Sequence, residues 1–191
     1  MSIPLAERIR PNTLEEIVGQ PQLLGEGRPL RRIIESGTIP NLIFYGPSGV
    51  GKTTIARFIA EHANMTMYKL NGTSASVADI KSIIAETEML GGMNGILLYL
   101  DEIQYLNKKQ QQSLLEYIEN GKITLISSTT ENPYFEVNTA LLSRSRIVEL
   151  HDLSDDDIAQ LIRRALEDER GLPPGYELTG DALDALERHL A

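Results

Sequence analysis

Gly46-Pro47-Ser48-Gly49-Val50-Gly51-Lys52-Thr53 fits the pattern G-x-x-x-x-G-K-[ST]. Each fixed type has a physical reason. Glycines allow backbone torsions that curl successive N–H groups inward into an anion nest. The helix that follows adds its unpaired N-terminal donors and its dipole. Lys52 can reach the β- and γ-phosphates of a nucleotide, and Thr53 offers a hydroxyl to Mg2+. The bland alternative is a glycine turn between two elements. Average residue frequencies put a chance match in a chain of this length on the order of 1%. The match also follows an apolar run and precedes an amphipathic one, as a phosphate-binding turn requires.

Holding phosphate is not hydrolysis, which needs a metal anchor, a base for water and positive charge on the phosphates. "ILLYLDEI" supplies candidates for the first two. An apolar strand ending in Asp101-Glu102 puts carboxylates at the C-terminal edge of a sheet, where ligands of open α/β sheets sit. Asp101 would serve the Mg2+ shell and Glu102 would take a proton from the attacking water. An acidic strand end facing solvent is the plain alternative, and the phosphate-binding turn beside it favours the functional one. Arg144 and Arg146 in "LLSRSRIVEL" precede another apolar run. Either could stabilise the transition state on a neighbouring subunit's nucleotide, or form a surface salt bridge; spacing does not separate the two.

Four functional classes fit these residues. The first is an ATPase. The second is a guanine-nucleotide switch, for which "NKKQ" (Asn107–Gln110) resembles N-K-x-D. Its last position lacks the carboxylate that reads guanine, and a helix cap explains it better. The third is a small-molecule kinase, which adjacent Asp101-Glu102 suits less than water activation. The fourth is a chain that binds nucleotide without turning it over.

The surrounding elements must position these groups. The pattern predicts helix over Pro29–Ser36, Thr53–Glu61, Val77–Leu90 (capped by Ser76) and Asn107–Glu119, where Asn107 and Gln110 form a capping box. It predicts strands over Asn41–Tyr45, Thr66–Leu70, Ile96–Leu100, Ile123–Ser128 and Ile147–Leu150, with a short helix over Thr139–Leu142. Residues 1–26 read as a loop-rich arm. Strands apolar on both faces and alternating with helices imply a parallel sheet covered on two sides. After His151 the character changes. Ser154 caps a helix with acids in its first turn, and a further helix carries Leu183, Leu186 and Leu190 on one face. These helices have no strand between them, and the expected organisation is an α/β domain over 1–152 with an incomplete helical domain over 153–191.

Of the 191 residues 41% are apolar, enough for a core. No apolar run approaches the ~20 residues that cross a bilayer, and "MSIPLAERIRP" is charged where a secretory leader is greasy. There is no cysteine, and His62, His151 and His189 are far apart, so thiolate and histidine metal sites are not expected. A soluble intracellular chain is expected. Net charge is −9. Residues 1–60 carry seven Lys/Arg against five Asp/Glu, and residues 61–191 eleven against twenty-two. With no basic tract, strong DNA affinity from this chain alone is not expected.

Taken in order, "RPNTLEEIVGQ", "GPSGVGKTT", "LLYLDEI", "SSTTENP" and "ALLSRSRIVEL" resemble the AAA+ ATPases of the clamp-loader group. "LAERIRPNTLEEIVGQPQLLGEG" with "TTENPYFEVNTALLSRSR" is similar to the replication-associated recombination protein A family, relatives of the Werner helicase interacting proteins. The resemblance covers essentially the whole chain. It implies a P-loop NTPase fold: five parallel strands between helices, the acidic strand separated from the phosphate-loop strand by one other, then a helical lid.

It implies ATP with Mg2+, held by Gly46, Pro47, Ser48, Gly49, Val50, Gly51, Lys52, Thr53 and Thr54, with Thr53 and Asp101 on the metal. Glu102 is implied as the base, Thr130 as the sensor near the γ-phosphate, and Arg144 as the arginine acting in trans. Asn71 either holds Glu102 in an idle pose or is a turn residue before Gly72. Adenine is implied near Arg10, Pro11, Ile17 and Val18, largely through backbone contacts. Further implications are DNA as partner of the full-length protein, replication or repair proteins, a homo-oligomer at full length with a monomer for this chain, and a cytoplasmic, nucleoid-associated location. Gln104-Tyr105 stands where the family has His-Arg, and "SSTT" where it has Gly-Ala-Thr-Thr. The chain stops before the lid's second sensor arginine and the oligomerisation region, so it is expected to be a fragment with weak turnover.

Overall fold

The computed structural model describes residues 3–89, 95–173, 175, 179 and 180. In chain order the elements are α1 (Leu5–Arg8), α2 (Pro21–Leu24), α3 (Pro29–Ser36), β1 (Leu42–Tyr45), α4 (Lys52–His62), β2 (Thr66–Asn71), α5 (Val77–Met89), β3 (Ile96–Asp101), α6 (Lys108–Glu119), β4 (Thr124–Thr129), α7 (Pro133–Glu136), α8 (Thr139–Leu142), β5 (Arg146–Glu149) and α9 (Asp155–Glu167). Single 3-10 turns cover Leu14–Glu16 and Ile103–Tyr105. The expected strands and long helices are present within one or two residues. The first 26 residues are not simply a loop-rich arm: α1, α2 and one 3-10 turn lie there, each too short to leave a periodic pattern. The expected helix with Leu183, Leu186 and Leu190 lies outside the described residues.

The chain forms two compact units, Pro21–His151 and Met1–Gln20 with Asp152–Ala191. That differs from a division into 1–152 and 153–191, because the first twenty residues group with the C-terminal segment. Within that unit Arg164 donates to the Glu16 carbonyl, and Arg170 donates to the Arg10 carbonyl at 3.0 Å. Arg170 also forks onto Asp168, whose carboxyl these hydrogen bonds hold down to about 2. Ser154 and Asp157 close a capping box at the start of α9.

In the larger unit all five strands are parallel, in the order β2-β3-β4-β1-β5. β4 therefore lies between the acid-bearing β3 and β1, which feeds the glycine-rich turn. β3 shows why the strand reads as one apolar run: residues 96–100 are all buried. Ile96, Leu98 and Leu100 pack with Ile80 and Ile84 of α5 and Leu114, Leu115 and Ile118 of α6. The alternate residues Leu97 and Tyr99 face the other way, and Asp101 continues that second face at the strand's end. The Asn107–Gln110 capping box is closed in both directions, each bond 2.9 Å. These two side chains serve a helix start, so nothing in "NKKQ" is arranged to read a guanine.

Candidate active site

β1 ends at Tyr45, and Gly46 follows at φ +149°. Its N–H is tied to the Thr129 carbonyl of β4 at 3.2 Å. A Cβ here would stand 2.2 Å from the Leu150 carbonyl oxygen, so the backbone runs too close to the end of β5 for any side chain. Gly49 and Gly51 take φ +83° and +97°, and a Cβ on either would project into open space. The turn is thus packed on its sheet side and open on the other, as a backbone cradle for an anion must be. α4 starts at Lys52 and points its N-terminal donors at that opening.

Lys52 is only 7% exposed. Its Nζ donates to the carbonyls of Gly46 at 2.7 Å and Pro47 at 2.5 Å. Burial lowers its pKa from the ordinary lysine value, against the raising pull of Glu102 and Asp101. The ammonium is thus held inside the cradle by the loop's own carbonyls, facing the two acids.

An open cleft of about 320 Å³ is lined by Ser48, Gly49, Gly51, Lys52, Thr53 and Thr54 from the turn and α4, and by Tyr99, Asp101 and Glu102 from β3. Such a volume lies at the low end of ligand-sized clefts, roughly 300–1,000 Å³. The structure therefore brings the predicted cradle and the predicted acids to one place. Ser128 Oγ donates to Asp101 Oδ1 at 2.6 Å and Tyr99 OH to the same oxygen at 3.2 Å. Lys69 Nζ stands 3.5 Å from the other oxygen, Oδ2. Thr53 Oγ1 donates to Tyr99 OH at 3.1 Å, linking the turn to the strand. Burial pushes the Tyr99 phenol up to about 12, so the hydroxyl stays protonated.

Glu102 leaves the strand in the left-handed region, φ +54° and ψ +57°. For a residue with a Cβ that conformation costs on the order of 1–3 kcal/mol and persists only where neighbours impose it. Here the Glu102 N–H donates to Ser128 Oγ at 3.3 Å, and its carbonyl accepts from Tyr105 N at 3.1 Å. Its carboxylate Oε2 accepts from Gln104 Nε2 at 2.6 Å and Thr130 Oγ1 at 3.4 Å. Thr130 thus stands beside Glu102.

Asn71 is placed otherwise. Its amide oxygen accepts from Thr73 N at 2.9 Å and Thr73 Oγ1 at 2.7 Å, the side-chain turn open to such a residue. The hold on Glu102 comes from Gln104 and Thr130 instead. Arg144 is exposed and does not line the cleft; its guanidinium pairs with Glu119 at 2.5 Å and donates to the Ala140 carbonyl at 3.1 Å. Arg10, Pro11, Ile17 and Val18 belong to the other compact unit. Arg10 pairs there with Glu7.

Five contributors escaped the sequence reading of the site: Lys69, Gly72, Tyr99, Gln104 and Ser128. A Cβ at Gly72 would lie 2.2 Å from the Glu102 carbonyl oxygen, so β2's end must be bare for the acid pair to pass. Tyr99 had one available signal, its position two residues before Asp101 on the same strand face. Ser128, Lys69 and Gly72 become neighbours of the acids only through strand register, which no local pattern carries.

The donors fit magnesium. Thr53 and Asp101 offer oxygen alone, and among the described residues no group of three His, Cys, Asp or Glu gathers that could cage an ion. Magnesium prefers such a sparse protein shell, completed by substrate phosphates and water. Among the described residues no helix is long and apolar enough to cross a membrane.

Residues 42–153 match the model of the AAA family, the ATPases associated with various cellular activities. The chain is 44% identical over 171 residues to the replication-associated recombination protein A of Coxiella burnetii, covering 89% of this chain and 39% of that protein. It is 44% identical to the Escherichia coli K12 protein of the same name, covering 86% of this chain and 37% of the relative. It is 41% identical to the ATPase WRNIP1 of Dictyostelium discoideum, covering 86% of this chain and 19% of the relative. The chain thus spans about two-fifths or less of the length of these relatives. Among solved structures, the Thermotoga maritima RuvB Holliday junction branch migration motor superposes with a TM-score of 0.68 at 26% identity, over 83% of this chain and 54% of that one.

Proposed function

The chain belongs to the AAA family of ATPases, and from that premise we propose that it binds ATP with Mg2+ in the cleft above and hydrolyses it as one module of a DNA-dependent ATPase. The observation that carries the reading is the common cleft: backbone cradle, lysine, threonine and paired acids line one opening. A cradle alone would suit any phosphate ligand; an acid pair across from it suits attack by water.

The residues divide the work. The turn's N–H groups and the α4 N-terminus bind the phosphates, and Lys52 moves from the Gly46 and Pro47 carbonyls onto the β- and γ-phosphate oxygens. Magnesium, when bound, neutralises charge on those oxygens, and Thr53 and Asp101 would hold it. Glu102 takes a proton from the attacking water as its oxygen bonds to the γ-phosphorus. The bond from that phosphorus to the bridging oxygen breaks, and ADP leaves with the electron pair. Thr130, one hydrogen bond from Glu102, orients the water or the γ-phosphate. Arg144 acts in trans, leaving Glu119 for a neighbour's phosphates; alone, the chain turns ATP over weakly. The same reading assigns adenine contacts to Arg10, Pro11, Ile17 and Val18.

DNA is the proposed partner of the longer protein, in replication-fork maintenance and recombination, with repair or replication proteins beside it. The support is the names of its relatives and of the RuvB motor. Homo-oligomerisation at full length, a monomeric state for this chain and a cytoplasmic, nucleoid-associated location belong to the same proposal.

Calorimetry with ATP and GTP, with phosphate release measured on the chain and on the full-length protein with and without DNA ends, tests it. We expect ATP to bind in preference to GTP, Lys52→Ala to abolish binding, and DNA ends to stimulate the full-length protein only. A chain that ignores ATP at millimolar concentration refutes the reading.

A further inference from the structure

Among the described residues Tyr99 heads the fully buried side chains by volume, yet its hydroxyl reaches the cleft. A phenylalanine would fill the same space without a polar atom to satisfy. The hydroxyl is satisfied twice: it accepts from Thr53 Oγ1 at 3.1 Å and donates to Asp101 Oδ1 at 3.2 Å. Both partners are the groups that would hold the ion.

The direction of the hydrogen bonds matters as much as their presence. A threonine hydroxyl that serves a cation must offer it a lone pair and send its own proton elsewhere. Tyr99 OH is the acceptor that takes the Thr53 proton. Its own proton goes to Asp101 Oδ1, which Ser128 Oγ also occupies at 2.6 Å. Asp101 is left with Oδ2 as its less engaged oxygen, facing only Lys69 Nζ at 3.5 Å among the contacts described. One ring, locked in the core of β3, therefore sets both the rotor of Thr53 and the aim of Asp101.

We propose that Tyr99 is a positioning residue for magnesium: its hydroxyl spans Thr53 and Asp101 and holds them in the arrangement that receives the ion. This rests on the ATP–magnesium reading above, and it assigns Tyr99 no contact with substrate. Groups that orient metal ligands typically govern affinity for the ion by about 10–100-fold when removed.

The test is Tyr99→Phe, read by binding of a fluorescent ATP analogue, first in EDTA and then across a Mg2+ titration. In EDTA the variant binds nucleotide within about twofold of the unmodified chain, because the cradle and Lys52 are untouched. The Mg2+ concentration at half-saturation rises by about 10–100-fold. A half-saturation point that does not move, with EDTA binding intact, overturns the proposal while leaving the ATP reading standing. An unmodified chain that binds nucleotide in neither condition overturns both. Should Tyr99→Phe fail to fold, 3-fluorotyrosine at position 99 carries the test. Its more acidic hydroxyl accepts less well from Thr53 and withdraws more charge from Asp101, so the half-saturation point again rises, by less. No rise with the fluorinated ring overturns the proposal.

Discussion

Asp101 takes its partners from three strands: Tyr99 of β3, Ser128 of β4 and Lys69 of β2. Glu102, one residue on, takes its carboxylate partners from a 3-10 turn and from the residue just past β4, Gln104 and Thr130. The first acid is fixed by the sheet itself. The second stands on a left-handed residue outside the strand, held by side chains that can turn. On the proposed reading the difference is one of duty. A metal ligand gains from immobility, since its oxygens must be in place before the ion arrives. A base must meet a water whose position depends on the bound phosphate, and gains from being releasable.

The strongest way to break the comparison is Glu102→Gln. The amide keeps the shape but takes no proton, so phosphate release should fall by about 100–10,000-fold. ATP affinity, measured by calorimetry with Mg2+, should stay within about twofold. Asp101→Asn should do the reverse at low Mg2+, weakening metal-supported binding first. If both variants damage binding alike, the two acids share one role and the division fails.

Next is Gly72→Ala. Its Cβ would meet the Glu102 carbonyl oxygen at 2.2 Å and the Asp101 carbonyl oxygen at 3.3 Å, both backbone atoms. Such overpacking costs about 1–3 kcal/mol, to be read from urea unfolding. Because β2 and β3 are registered at Asn71 and Asp101, relief comes by moving the acid pair or the turn after β2. Turnover should drop more than nucleotide affinity. A variant of full stability would show that the edge is looser than the register implies.

These two regions also mark what the sequence could tell. The cradle was legible because every functional group from Gly46 to Thr54 lies in one unbroken stretch whose spacing is its geometry. The acids were legible because a five-residue apolar run ended on them, and the caps of α6 and α9 because a cap is a local pattern. That one strand separates β3 from β1 came from family resemblance; the full order β2-β3-β4-β1-β5 came from the structure, with no single element dictating it. The partners of Asp101 were less legible, for a different reason. Strand alternation puts Tyr99 on its face, but Lys69 and Ser128 reach the same carboxylate only because three strands align in register, and register is a property of the sheet. Gln104 was visible only as a departure from a family pattern; its bond to Glu102 needed the turn's coordinates. Asn71 kept two readings because the same amide can cap a turn or reach a neighbour, and here its oxygen is committed to Thr73.

Gln104→Ala sharpens the account of the movable acid. A 2.6 Å bond from its amide holds the Glu102 carboxylate and points it toward the turn. Removing it frees the carboxylate and leaves Thr130 as its remaining described partner. A hydrogen bond to a charged group contributes about 1.5–3 kcal/mol at most in such a site, and partial exposure reduces that. We expect a rise of about two- to tenfold in phosphate release at saturating ATP, with affinity unchanged. A fall of the same size would show that Gln104 holds Glu102 in its working pose instead.

The smallest expected effect tests the fixed acid from its open side. Lys69 is 47% exposed, sits 5.7 Å from the Tyr99 ring centroid and pairs with Asp101 Oδ2 at 3.5 Å. An exposed pair of this kind contributes about 0.2–1 kcal/mol, so it cannot anchor Asp101 as Ser128 and Tyr99 do. Its effect is electrostatic: a positive charge beside an oxygen that would serve a second cation. Lys69→Met should therefore lower the Mg2+ half-saturation point by up to about fivefold at low salt, opposite in sign to Tyr99→Phe, and the gain should shrink as salt rises. A loss of Mg2+ affinity in Lys69→Met would place the lysine among the supports of Asp101 and erase the distinction between its strand-held oxygen and its open one.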